Sequence, residues 1–180
     1  MTGLRLRRYD PRDSDAVWQL HERAMRAAGT DPSDIPGTDD LRTIESSYLD
    51  AGGDFVVGIC DADSTAAALP GTFDGPLVTM GGFLPSEVGH DDERTVPGAA
   101  ELHRMRTAPA LQGEGLGRRL LGALERRAAA AEFERVLATT AHRQRRAVEF
   151  YRAAGYREVD RTAFGEYELI HFEKALETRN

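Results

Sequence analysis

The sequence holds a single cysteine, Cys60, among 180 residues. No internal disulfide can form, so the fold must rest on packing and hydrogen bonding, and a reducing cytoplasm is the expected compartment. Cys60 closes an apolar run, where a small core residue is expected rather than a nucleophile. Long apolar runs are missing too: nothing approaches the ~20 residues that cross a bilayer. The opening MTGLRLRRYDPRD lacks the apolar segment of a secretion signal, so no membrane partner is expected. Positive charge is in deficit, with a formal net charge of -7. That excludes broad nucleic-acid binding, which needs a basic face, and suits solubility or a cationic small partner. No repeat, low-complexity tract or linker interrupts the chain. One domain over residues 1–180 is therefore expected.

What the chain does have is a stretch from Ala99 to Arg127, AAELHRMRTAPALQGEGLGRRLLGALERR. Residues 101–107 alternate as a strand, and Ala108-Pro109-Ala110 ends it, since proline cannot donate to a ladder. Leu116, Leu120, Leu121, Leu124 and Ala128 then recur on one face of a helix. Between them lies Gln112-Gly113-Glu114-Gly115-Leu116-Gly117. The first amides of a helix lack intrahelical partners and carry partial positive charge. Glycines there let a ligand approach, and Arg118 and Arg119 add cationic charge, so a phosphate or pyrophosphate is the natural guest. A tight strand-to-helix connection with no ligand is the competing reading. The Walker loop does not fit, because Gly117 is followed by Arg118-Arg119 rather than Lys-Ser/Thr. The dinucleotide fingerprint does not fit either, because the glycines run G-x-G-x-G.

Gln112-x-x-Gly115-x-Gly117 matches the R/Q-x-x-G-x-G/A signature of the GNAT superfamily of N-acetyltransferases. "ELHRMRTAPALQGEGLGRRLL" resembles that family's central strand and following helix, and "AVEFYRAAGYREV" resembles its second motif, with Tyr151 shortly before Gly155-Tyr156. The resemblance is strongest from about residue 99 to residue 159. It implies an α/β fold with a mixed, mostly antiparallel sheet of six or seven strands and helices on both faces. It also implies acetyl-CoA as co-substrate, no metal, an amine acceptor of small-molecule or peptide type, and a possible homodimer. The alternative on the same fold is a non-catalytic CoA-binding or regulatory module.

The rest of the chain reads in order. Residues 3–9 form a half-exposed strand. Asp10 caps a helix with Pro11 at its first position; Val17, Leu20, Ala24 and Ala28 line one face, and Gly29 stops it. His21 reads as a partly exposed helix residue. A loop over residues 30–37 leads to a second helix capped by Thr38, with Leu41, Ile44 and Tyr48 on one stripe, ended by Gly52-Gly53. In the family these two helices wall the acceptor pocket, which makes Asp31, Asp34, Asp39 and Asp40 amine-contact candidates. Residues 54–60 and 77–84 read as strands joined by a long loop. Gly81-Gly82 implies a bend or a close approach in the second. Residues 85–98 read as a polar, mobile loop, with Asp91-Asp92-Glu93 solvated. Residues 134–141 form a strand parallel to 101–107, reached by a right-handed crossover. A helix from about Arg143 to Ala154 follows, with Ala147, Phe150, Tyr151 and Ala154 as its stripe. Strands at 156–162 and 167–174 turn at Phe164-Gly165-Glu166.

The resemblance assigns roles. The amides from Gly113 to Arg118 hold the pyrophosphate, so Gln112, Gly113, Glu114, Gly115, Leu116, Gly117 and Arg118 are the cofactor-binding set. Met105, Arg106 and Thr107 offer backbone groups to the pantetheine arm, and an amide near Met105 polarises the acyl carbonyl. A protonated alkylamine has a pKa near ~10.4 and needs a base. Glu101 is the first candidate, His103, two residues away on the same strand face, the second, and His142 the third. Tyr151 is the acid that protonates the leaving thiolate; its competing role is a core tyrosine. Arg143 and Gln144 replace an asparagine that many relatives carry early in that helix.

Overall fold

Alternation and helical spacing resolve into strands β1 (Arg5–Arg8), β2 (Asp54–Ile59), β3 (Gly71–Thr72), β4 (Gly75–Pro85), β5 (Ala99–Thr107), β6 (Arg135–Ala141), β7 (Arg157–Phe164) and β8 (Tyr167–Ala175). Helices α1 (Ser14–Ala27), α2 (Leu116–Ala130) and α3 (Arg145–Ala153) lie between them. The computed structural model describes residues 3–34, 37–61 and 68–177. Backbone pairing orders the strands β1-β2-β4-β5-β6-β8-β7, with β3 beside β4. Among the described residues the sheet has eight strands rather than six or seven; the addition is β3, two residues long, which pairs antiparallel with the start of β4. β5 and β6 are parallel, as the crossover helix between them requires. The pairs β1–β2, β6–β8 and β7–β8 are antiparallel.

The chain divides into two compact units, and β4, β5 and α2 each run through both. The first comprises the residues up to Gly82 together with Arg104–Leu124. Its N-terminal corner is tied by charge. Arg7 donates two hydrogen bonds to the fully buried Asp13 at 2.7 and 2.8 Å and another at 2.8 Å to Asp74. Asp10 and Asp13 form a capping box at the turn that leads into α1. Gly81 and Gly82 lie where the packing leaves no room for a side chain. A Cβ at Gly81 would stand 2.6 Å from Met105 Sδ and 3.3 Å from Leu120, and one at Gly82 would stand 2.6 Å from Phe55 and 2.7 Å from Asp54 O. The close approach expected of this pair is therefore real on both faces of β4.

The helix expected from Thr38 to the Gly52-Gly53 pair is not continuous. Thr38–Arg42 is a 3-10 turn and Glu45–Leu49 a π-helical turn. Leu41, Ile44 and Tyr48 are nevertheless all buried, so the stripe was right and the hydrogen bonding wrong. Thr43 breaks the run. It leaves the helical region at φ -134°, and its hydroxyl bonds Asp39 O and Ser47 Oγ. Local side-chain bonds of Ser and Thr compete with the helical ladder in this way.

The second unit comprises Phe83–His103 and Glu125 onward. β6 and β8 pair along their whole shared length, with Val136, Leu137, Ile170 and Phe172 buried. In α3 the buried residues are Val148 and Tyr151, so Val148, outside the expected stripe, faces inward while Phe150 is only half-buried. The segment expected to be a mobile loop is pinned. Ser86 is buried, and its hydroxyl donates to Val96 O at 2.6 Å and accepts from Val96 N–H at 2.9 Å.

Candidate functional site

In the first unit, β5 ends at Thr107, and a 3-10 turn over Pro109–Leu111 carries the chain to Gln112. Gly113 and Gly115 have φ of 84° and 82°, a region that only glycine enters freely. A Cβ at either would meet no atom within 4 Å. The backbone here is open to an approaching group, as a phosphate cradle requires. Leu116 then starts α2, and the helical ladder begins with Arg119 N–H to Gly115 O at 3.1 Å. The amides ahead of that bond form the helix's positive end. Leu116, Leu120, Leu121 and Leu124 are buried and fix the helix that presents this turn.

The approach to the turn is unusual. Arg104, in the middle of β5, has φ of 56°, a left-handed conformation that a long side chain adopts only under constraint. The constraint is visible in the same unit. Arg104 Nε donates to Asp40 Oδ2 at 3.0 Å, and its Nη2 donates to Gly37 O at 2.6 Å. Tyr48 donates to the same Asp40 oxygen at 2.6 Å. Further along, Arg106 O accepts from Thr79 Oγ1 at 2.9 Å, and Ala108 N–H donates to Val78 O at 2.8 Å. Met105 O accepts from the Arg106 guanidinium at 2.9 Å.

Asp40, an amine-contact candidate by position, is thus committed to Arg104 and Tyr48. Asp31 and Asp39 instead line a surface cavity of about 510 Å³ together with Trp18, Glu22, Arg26 and Arg42. The Arg42 guanidinium stacks over Trp18 at 3.7 Å. Asp34's side chain lies outside the described residues. His21 corrects its expected exposure: it is fully buried, and neither ring nitrogen makes a hydrogen bond among the described residues. Burial, reinforced by the charges of Arg106 and Arg104, lowers its pKa to about 4, so it is neutral at physiological pH.

In the second unit, Glu101 and His103 share one face of β5 and both are buried. Neither Glu101 oxygen makes a hydrogen bond among the described residues. Desolvation, reinforced by the charge of Glu93, pushes its pKa up to about 8. His103 Nε2 lies 2.6 Å from Glu93 Oε1. Burial works against ionising Glu93, but His103 and His90 together outweigh it and hold the carboxyl below the usual glutamate range. Glu93 is thus a half-buried partner of the site strand and not the solvated loop residue expected. Nothing in the spacing of the acidic run marks one of its three members for burial; the signal lies in the Ser86–Val96 bonds that fold the segment back. His142, the third base candidate, is exposed.

Tyr151 lies on α3 with 8% exposure. Its ring packs against Tyr156 at 5.5 Å and Phe172 at 5.7 Å between centroids. Gln144, just before α3, accepts from Thr140 Oγ1 at 2.8 Å, and Arg143 stacks over Tyr167. Within its own register, the β5–β6 ladder pairs Ala99, Ala100 and Glu101 with Arg135, Val136 and Leu137, while β5 continues to Thr107 and β6 to Ala141.

No curated protein matches the chain in sequence. Solved structures do match in fold. An acetyltransferase from Streptococcus agalactiae 2603 aligns with a TM-score of 0.72 and 21% identity, over 98% of this chain and 100% of that one. A protein from Salmonella typhimurium solved with its cofactor acetyl-CoA aligns at 0.68 and 18% identity, over 99% and 96%. The ribosomal-protein-S18-alanine N-acetyltransferase of Escherichia coli aligns at 0.66 and 15%, over 98% and 96%. The Acetyltransferase (GNAT) family model matches residues 17–156, and with that span the chain belongs to the GNAT acetyltransferase family.

Proposed function

We propose that this protein is an N-acetyltransferase that moves the acetyl group of acetyl-CoA directly to an amine, with a small cationic molecule as acceptor. One observation carries the reading: the Gln112–Gly117 signature stands at the opening of α2, with open space at Gly113 and Gly115 where a family member would seat a pyrophosphate. The open backbone and helix terminus fit that group. Gln112, Gly113, Glu114, Gly115, Leu116, Gly117 and Arg118 would hold it, and the backbone of Met105, Arg106 and Thr107 would serve the pantetheine arm. Acetyl-CoA supplies an activated thioester carbonyl. The chain's own residues manage protons. Glu101 takes the proton from the ammonium of the acceptor, and Tyr151 gives one to the departing thiolate. The amine's nitrogen gains the acyl carbon and the carbon–sulfur bond breaks. The nitrogen's second proton passes to solvent, Tyr151 regains its proton from solvent, and Glu101 sheds the proton it took before the next turnover. No enzyme-bound acyl group is needed. The sole cysteine is buried beside β2, away from such a role.

The acceptor class rests on the net charge of -7; in the cavity of the first unit Asp31 and Asp39 add carboxylates, while Arg26 pairs with Glu22 and Arg42 covers the Trp18 ring. The test is thiol release from acetyl-CoA across a panel of polyamines, amino acids, aminoglycosides and peptide N-termini, against a no-amine blank. Amine-dependent release is expected. Tyr151→Phe is expected to lower kcat about 10²-fold or more with little change in acetyl-CoA binding, as loss of a general acid does. An unchanged kcat removes Tyr151 from the mechanism. Release no faster than the blank with every amine, in a chain that still binds acetyl-CoA, points to a binding module instead.

A further inference from the structure

We propose that His90, Glu93 and His103 form a binding site for a first-row divalent ion of the zinc type. The family resemblance implies no metal, and the three residues lie in a polar stretch and a strand. The fold of the second unit brings them together. One ligand atom from each lies within 4.8 Å of the others. The imidazoles of His90 and His103 are 5.1 Å apart between centroids. Glu93 is oriented from both sides: its Oε2 accepts from the His90 backbone N–H at 3.0 Å, and its Oε1 faces His103 Nε2 at 2.6 Å.

Two imidazoles and one carboxylate form a donor set suited to zinc and its neighbours, and poorly suited to magnesium or calcium, which take oxygen ligands. Bond lengths of about 2.1 Å to a tetrahedral ion place ligand atoms about 3.4 Å apart. The ligand atoms lie within reach of that value, and His90, being exposed, has room to turn. The ion would take the place of the His103–Glu93 hydrogen bond and leave a fourth position for water or a ligand. It would also clamp the segment after β4 onto β5, two residues from Glu101. This proposal does not depend on the acetyl-transfer reading.

The experiment uses the full chain without a histidine tag, stripped of metal and titrated with zinc chloride against a chromophoric chelator. One ion per chain is expected, with a rise in Tm that magnesium does not reproduce. His90→Ala and Glu93→Gln are each expected to weaken binding at least 10-fold and to abolish the Tm rise. His90 is exposed, so its replacement leaves the fold intact. Absence of saturable binding, or either variant binding as tightly as the natural chain, overturns the site.

Discussion

Glu101 resists ionisation. It is buried on β5 without a hydrogen bond for either oxygen among the described residues, and burial raises its pKa from 4.5 to about 8. An acid whose folded pKa exceeds its unfolded value binds its proton more tightly when folded. Its contribution to stability is therefore complete below about pH 4.5, falls as pH rises and levels off above about pH 8. The slope in between approaches about 1.4 kcal/mol per pH unit for a single group. Glu101→Gln removes that slope, so urea unfolding at pH 5 and pH 8 should show the natural chain losing more stability than the variant. Equal losses would mean that Glu101 does not titrate differently on folding. At this scale, identity and position were legible: alternation placed Glu101 and His103 on one strand face. Their environment was not. Glu93 and His90 join them only through a fold-back set by Ser86, and Arg104 owes its left-handed backbone to Asp40, sixty-four positions earlier.

Helix ends show the same division between local and distant causes. α1, α2 and α3 all finish in the same way, with the residue after the cap in the left-handed region and paired 6→1 and 5→2 hydrogen bonds closing the last turn. In α1 the left-handed residue is Gly29 and in α3 it is Gly155, both readable as stops. In α2 it is Glu132, at φ 67°, exposed and with a Cβ that this conformation penalises. The bonds Phe133 N–H to Ala128 O and Glu132 N–H to Ala129 O, at 3.0 and 3.1 Å, hold it there. Glu132→Gly should therefore stabilise the protein by roughly 0.5–1 kcal/mol, after the extra entropy of an unfolded glycine is charged against it. Glu132→Ala keeps the penalty and should give no comparable gain. Thermal unfolding of the pair decides the matter; a gain shared by both would place its origin in the lost charge rather than the backbone. The failed helix between Thr38 and Leu49 is the converse. Its apolar stripe was readable, but the local bonds of Thr43 were not, and they divide it into two tight turns.

For the whole molecule, seven of the eight strands were legible as alternating or apolar runs, and the parallel β5–β6 pair followed from the helix between them. β3 was not, since two residues carry no periodicity. The order of strands depends on pairings between distant segments and was not legible. Cys60 adds a practical consequence. It is the sole thiol of the chain, 6% exposed, one residue beyond β2, with its N–H bonded to Pro76 O at 3.0 Å. A thiol reagent can reach it only when that strand end opens. Labelling in buffer should run at least ten times slower than in urea, and its rate should report the opening of a single strand end. Equal rates would show that the strand end frays freely. The protein is then nearly silent to the reagents that count released coenzyme, and its own thiol becomes a clock for local unfolding.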